Sequence, residues 1–141
     1  MATKVATALM FVGEQCGRAA EAVDLYAGAL PGVTAGEPVR IGELDGTGDR
    51  DAIRVEFAIG DARFIALDGV GPHEFSFTPS VSIWVDFDDA AGFEVALGAL
   101  CDGGLVRMAP GDYGFSERFA WVDDRYGVSW QLNVPSVTGG A

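Results

Sequence analysis

The sequence predicts an α+β fold made of two tandem βαβββ modules that form a cupped mixed sheet, and three observations predict it. Strand-like and helix-like periodicities follow one another in the same order twice. Short matches recur between the two halves. A stretch rich in Gly, Pro and Phe, Gly69 to Pro79, separates them. The modules run from about residue 4 to 70 and from about 78 to 135, inside one domain of 141 residues. A single hydrophobic core can serve that length.

The first strand, Ala6 to Val12, leads through a turn with Gly13 and Gly17 into a helix over Arg18 to Leu30. There Ala22, Leu25, Tyr26 and Ala29 recur at helical spacing, and Pro31-Gly32 stops the helix. Three strands follow: Val33 to Ile41, Ala52 to Ile59, and Arg63 to Leu67 after the turn at Gly60-Asp61. The second module opens with Ser80 to Asp86, where Ser80, Ser82 and Trp84 alternate with Val81, Ile83 and Val85. Asp88 or Asp89 then caps a helix carrying Phe93, Leu97 and Leu100, which ends at Asp102-Gly103-Gly104. Leu105 to Met108, Arg118 to Val122 and Val128 to Val134 complete it, with a turn over Asp123 to Gly127.

Two matches support duplication over a single irregular α+β fold. Phe57-Ala58, Asp61 and Arg63-Phe64 are echoed 62 residues later by Phe119-Ala120, Asp123 and Arg125-Tyr126. Gly28-Ala29-Leu30 is echoed 70 residues later by Gly98-Ala99-Leu100.

Composition narrows the function. Hydrophobic residues make up 49% of the chain, which excludes a disordered protein. The 21 acidic residues outweigh 9 basic ones, a net charge of -12. Such a charge repels polyanions, so no nucleic-acid partner and no anionic membrane surface is expected. No apolar run reaches the roughly 20 residues of a spanning helix, and Val5 to Val12 reads as a strand, not a secretory signal. Cys16 and Cys101 need no disulfide framework, so the expected location is cytoplasmic.

The polar faces of two strands suggest a ligand cleft. On the last strand Ser129, Gln131 and Asn133 alternate with Val128, Trp130, Leu132 and Val134. With Ser80, Ser82 and Trp84 they offer uncharged donors beside an indole, where an ordinary solvent-facing sheet would carry Lys, Glu and Thr. Asp68 at the end of the fourth strand, and Arg54 with Glu56 on the third, are further candidates to line the cleft. Asp68 and Glu56 are the only, weak, candidates for a catalytic base, since a carboxylate against apolar walls titrates high, although a strand-end Asp beside Gly69 more often builds a turn.

Other singular residues carry less. His73 lies in the inter-module loop without a second imidazole or thiolate to chelate with. Asp45 to Asp51 with Glu56 imitates an EF-hand loop, but Arg50 stands where Gly is needed and a strand follows instead of a helix. Cys16 precedes a helix but has no partner base. There is no phosphate loop or dinucleotide fingerprint, so no cofactor is expected.

Three stretches carry a family resemblance: Ala8-Leu9-Met10-Phe11-Val12-Gly13, the helix Ala19 to Tyr26, and above all Phe119-Ala120-Trp121-Val122-Asp123-Asp124-Arg125-Tyr126-Gly127-Val128-Ser129-Trp130-Gln131-Leu132. Over roughly residues 4 to 135 the chain resembles the PhnB-like branch of the vicinal-oxygen-chelate superfamily, which includes glyoxalase I, extradiol dioxygenases and bleomycin- and fosfomycin-resistance proteins. The resemblance implies the paired βαβββ fold and frequent homodimers. It also implies a divalent metal held from the first and fourth strands of each module, at positions that fall near Thr7, Ala66, Ser80 and Gln131. Only Gln131 could ligate there, so no metal site is expected. Proteins of this branch sometimes carry a methyltransferase name, yet the chain has no Rossmann-type Gly-rich turn to support it.

Together these features indicate a metal-independent protein that binds an apolar or aromatic small molecule. Its cleft is expected to be lined by Phe11, Phe64, Ser80, Ser82, Trp84, Trp121 and Gln131. The alternative is a lyase, isomerase or dioxygenase using a divalent ion at a remodelled site with Gln131 and Asp68 or Glu56. A third reading is a purely structural homodimer.

Overall fold

A computed structural model describes residues 3–44 and 50–136. The chain divides into two compact units, Met1–Ser76 and Phe77–Ala141. Each unit is one sheet with one helix on one face.

In the first unit β1 (Thr7–Phe11) is followed by a 3-10 turn (Gly13–Gln15) and by α1 (Ala19–Ala29), then β2 (Val33–Ala35), β3 (Val39–Glu43), β4 (Asp51–Ile59) and β5 (Ala62–Asp68). The sheet order is β1-β5-β4-β2, with β3 also paired to β4. The strand expected over Val33 to Ile41 is therefore two strands on one partner. Gly36-Glu37-Pro38 divides them, because Pro38 has no N–H to give the ladder. β1 runs parallel to β5, with Thr7 opposite Phe64 and Phe11 opposite Asp68.

The second unit repeats the plan with β6 (Ser82–Asp86), α2 (Ala90–Cys101), β7 (Leu105–Gly111), β8 (Arg118–Asp123) and β9 (Ser129–Val134). Its order is β6-β9-β8-β7, and again the first strand runs parallel to the last, Trp84 opposite Gln131. β6 begins at Ser82, two residues later than the alternation suggests, since Thr78 and Ser80 turn the chain through a hydroxyl pair at 2.7 Å.

Period-2 alternation decides which residues meet each helix. In the first unit Leu9, Phe11, Val55, Phe57, Phe64, Ala66 and Asp68 are buried on the α1 side. They receive Ala22, Val23, Tyr26 and Ala29 of the helix, with the Tyr26 and Phe57 rings 5.9 Å apart. In the second unit Ala120, Val122, Trp130, Leu132 and Val134 lie under Phe93, Ala96, Leu97 and Leu100 of α2. Arg118 continues that face, its guanidinium 5.3 Å from the Phe93 ring and paired to Glu94. Each large apolar side chain so buried contributes about 1.5–3 kcal/mol.

The sequence echo between the halves matches equivalent strands only in its first part. Phe57-Ala58 lies on β4 and Phe119-Ala120 on β8, the second neighbours of β1 and β6. Arg63-Phe64 lies on β5, whereas Arg125-Tyr126 lies in the loop before β9. Phe57 faces its helix and Phe119 faces away from its own, so the echo is one residue out of structural register.

The β8–β9 loop is held by one buried carboxylate. Asp124 Oδ1 accepts from the N–H groups of Tyr126 (2.9 Å) and Val128 (3.1 Å), and Oδ2 accepts from Trp130 Nε1 (2.9 Å). Gly127 supplies φ 95°, which a residue with a Cβ adopts only under strain.

Candidate functional site

Two sheet faces are left uncovered by the helices, and they differ in chemistry. In the first unit this face carries Ala8, Met10, Arg54, Glu56, Ala58, Arg63, Ile65 and Leu67, as the ladder registers require. It is mainly aliphatic. Glu56 is exposed and stands 4.0 Å from Arg63 in a loose ion pair. The two border an open pocket of about 360 Å³ with Thr34, Gly36, Phe57 and Phe64.

In the second unit the corresponding face carries Ser82, Trp84 and Asp86 of β6, Ser129, Gln131 and Asn133 of β9, and Phe119, Trp121 and Asp123 of β8. Four separate sets of hydrogen bonds order these side chains. Gln131 Nε2 donates to Ser82 Oγ at 2.7 Å, and Trp121 Nε1 donates to Ser129 Oγ at 2.7 Å. Asp86 Oδ1 accepts from Trp84 Nε1 and from Asn133 Nδ2, both at 2.8 Å. At the far end Asp123 Oδ2 accepts from Arg107 Nε (2.9 Å) and pairs with its Nη2 (2.7 Å). That hydrogen bond, with the attraction of Asp123, holds the guanidinium still more firmly protonated.

Beside these hydrogen bonds stands an aromatic cluster centred on Phe119. Its ring lies 5.5 Å from Trp84, 5.9 Å from Tyr113 and 5.0 Å from Phe115, within the distances of favourable ring pairs. Phe119 is buried, yet Trp84, Tyr113 and Phe115 remain 49%, 43% and 57% exposed. Exposed rings grouped around a buried one form an apolar surface with polar anchors at its edge, which is how small-molecule sites are built.

Of the residues the sequence nominates, Ser82, Trp84, Trp121 and Gln131 come together on this face. Phe11 does not belong with them: it is fully buried on the α1 side of the first unit. Phe64 points the same way and stacks on Phe57 at 5.1 Å, and both residues line the pocket beside Glu56. Ser80 precedes β6 and is engaged with Thr78. Asp68 is a structural carboxylate. It is 3% exposed, its Oδ1 accepts from Gly17 N (2.8 Å) and Ala19 N (3.1 Å), and its Oδ2 accepts from Ile53 N (3.0 Å). A carboxylate so satisfied, on the helix side of its sheet, has no free lone pair aimed at a ligand. His73 is exposed in its loop, its ring 5.0 Å from Phe75. The EF-hand-like segment falls largely on residues 45–49, outside the described residues. Burial pushes the Cys16 thiol up, Asp68 adds to this and Arg50 opposes it, the reverse of what activates a nucleophile.

Sequence reasoning missed Tyr113, Phe115, Phe119 and Asp86. The alternation of β6 and β8 could have given Asp86 and Phe119, which share the parity of Trp84 and Trp121. Tyr113 and Phe115 lie in a loop, where no periodicity marks a side chain's direction.

The metal positions can be tested on the same geometry. Ala66 presents a methyl group buried on the α1 side, and Thr7 shares its face. Ser80 lies outside the strand, and the Gln131 amide already donates to Ser82. Among the described residues no three His, Cys, Asp or Glu side chains cluster so as to hold an ion. This donor set does not fit the metal that the resemblance implies.

The family described as 3-demethylubiquinone-9 3-methyltransferase matches residues 3–133. The chain belongs to this family. A PhnB protein from Bacillus cereus that carries the same methyltransferase description is 31% identical, with 94% of this chain and 99% of that one covered at a TM-score of 0.81. Protein PA1353 from Pseudomonas aeruginosa is 27% identical over 95% of this chain and 98% of that one, TM-score 0.77. The fosfomycin resistance protein FosX from Mesorhizobium loti shares the fold at 16% identity, 99% and 97% coverage and a TM-score of 0.60. No curated protein matches in the corresponding sequence comparison. The chain is thus PhnB-like and has the glyoxalase/bleomycin-resistance-like α+β fold. No helix among the described residues is long and apolar enough to cross a membrane.

Proposed function

We propose that this PhnB-like protein binds an apolar or aromatic small molecule, without a metal or cofactor, on the uncovered sheet face of its second unit. The observation that carries this reading is the Trp84, Tyr113, Phe115 and Phe119 cluster beside the Gln131–Ser82 and Asn133–Asp86 hydrogen bonds. Rings supply contact area at low entropic cost, and a fixed polar edge sets a ligand's orientation. Methyl transfer, the activity in the family's description, finds less support. Each sheet has a single parallel pair, and a 3-10 turn stands where a doubly wound nucleotide-binding sheet places its Gly-rich loop. We further read the protein as a cytoplasmic homodimer, and as one that binds no nucleic acid, since its net charge of -12 repels phosphates.

Trp84 and Trp121 lie on this face while Trp130 is buried under α2, so quenching of the first two reports on ligand there. Titration with a panel of aromatic compounds is expected to quench it saturably. Trp84→Ala, at an exposed site, weakens binding about tenfold, near 1.4 kcal/mol. EDTA leaves the affinity unchanged. A panel in which nothing binds, or untagged protein carrying stoichiometric Zn, Fe, Mn or Ni, overturns the reading and favours a metal-dependent lyase, isomerase or dioxygenase.

A further inference from the structure

On the aromatic face of the second unit the Ser82 and Ser129 hydroxyls accept from Gln131 and Trp121 and keep a proton to give, but the one charged group left with a free oxygen is an acceptor. Each side-chain nitrogen of Trp84, Trp121, Gln131 and Asn133 already donates to a partner. A carboxylate can only accept, so Asn133 must turn its NH₂ to Asp86, which leaves its amide oxygen facing away and unpartnered in a residue 7% exposed. Asp86 uses one oxygen for both of its donors. Its other oxygen has no partner among the described residues, and the residue is exposed beside the Trp84 ring.

Charge points the same way. The second unit contains nine carboxylates and three arginines. All three arginines are taken: Arg107 by Asp123, Arg118 by Glu94 and Arg125 by Asp102. No basic side chain of the unit neutralises Asp86. A lone carboxylate at the edge of exposed ring faces attracts a cation twice over, once by direct ion pairing and once through the quadrupoles of the rings.

We propose that the ligand of this face is a protonated amine on an apolar or aromatic body, its ammonium held by Asp86 and its body by Trp84, Tyr113, Phe115 and Phe119. This rests on the small-molecule reading above and adds the ligand's charge and donor character. An anionic ligand would meet Asp86 with no cation to offset it, and a neutral one could at most donate a hydrogen bond to the free carboxylate oxygen, without the ion pair.

The test uses three isosteric probes on the full chain at pH 7: 2-phenylethylamine, 2-phenylethanol and phenylacetate, followed by tryptophan fluorescence and calorimetry. The amine is expected to bind at least tenfold tighter than the alcohol, and phenylacetate weakest. In Asp86→Asn the side-chain oxygen still accepts from Trp84 and Asn133, so the face stays ordered, the alcohol loses far less affinity than the amine, and the amine's advantage falls to within about twofold. Should that variant misfold, salt decides on the native protein. Raising NaCl from about 20 to 500 mM shrinks the amine's advantage and leaves the alcohol unaffected, because only the ion pair is screened. Equal affinity for amine and alcohol, or tighter binding of phenylacetate, overturns the inference while leaving the small-molecule reading intact. Failure of all three probes and of the wider aromatic panel overturns both.

Discussion

The two helices meet the same electrostatic demand in opposite ways. Each begins with N–H groups that have no intrahelical acceptor. α2 is capped from within its own sequence, Asp89 accepting from Gly92 N at 2.9 Å three residues on. α1 has Arg18 at the equivalent position, with no side-chain cap. Its acceptor comes from the end of β5, where Asp68 reaches Ala19 N and Gly17 N from 49 and 51 residues away and holds Ile53 N of β4 with its second oxygen. A local cap stabilises one helix. A remote cap also ties that helix to two strands, so the first unit concentrates in one buried carboxylate what the second divides between Asp89 for the helix and Asp124 for the β8–β9 turn.

The comparison can be broken most forcefully at Asp68. Asp68→Ala leaves three N–H groups without their charged acceptor and is expected to cost about 3 kcal/mol in urea unfolding. Asp68→Asn recovers only part, because its NH₂ must face at least one of those donors. Asp124→Ala is expected to cost a similar amount, about 3 kcal/mol, as it frees the Trp130 indole and two loop N–H groups. Asp89→Ala should cost only about 1 kcal/mol, the usual worth of a local N-cap. If Asp89→Ala proved as damaging as Asp68→Ala, the distinction between local and remote capping would collapse.

The smallest effect is one of pH. The raised pKa of Cys16 means that the folded chain holds this proton more tightly than the unfolded chain does. Stability from this source is therefore complete below the ordinary thiol range, about 8.5, and declines as pH rises through it, because the unfolded chain ionises first. Denaturation between pH 7 and 10 should show that decline in the native protein and less of it in Cys16→Ser. Alkylation of Cys16 at neutral pH should be slower than that of a free thiol.

The uncovered faces offer a second contrast. The first unit's face is aliphatic with a loose Glu56–Arg63 pair, and the second unit's is aromatic with ordered amides and hydroxyls. Much of the latter was legible, because Ser82, Trp84, Trp121 and Gln131 sit on strands whose alternation announces their faces. Phe11 and Phe64 were misassigned for a related reason. Alternation separates two faces without saying which one a helix will cover, and in the first unit the helix covers theirs. The register of β1 against β5 puts Phe11 and Phe64 on one face, and the contact of Tyr26 of α1 with Phe57 on that same face shows that the helix covers it.

By itself the sequence determined the order of elements apart from the division of β2 from β3, the family, and local devices: a cap at Asp88 or Asp89, the turn over Asp123 to Gly127 and the inward stripe of α2. These depend on residues a few positions apart, where propensity and spacing act directly. Only the tertiary structure decided which sheet face is buried, which carboxylate caps α1, and which loop aromatics gather around Phe119. Each of those joins residues brought together by strand pairing, and the pairing partner of a strand is fixed by packing across the whole unit, not by the strand's own composition.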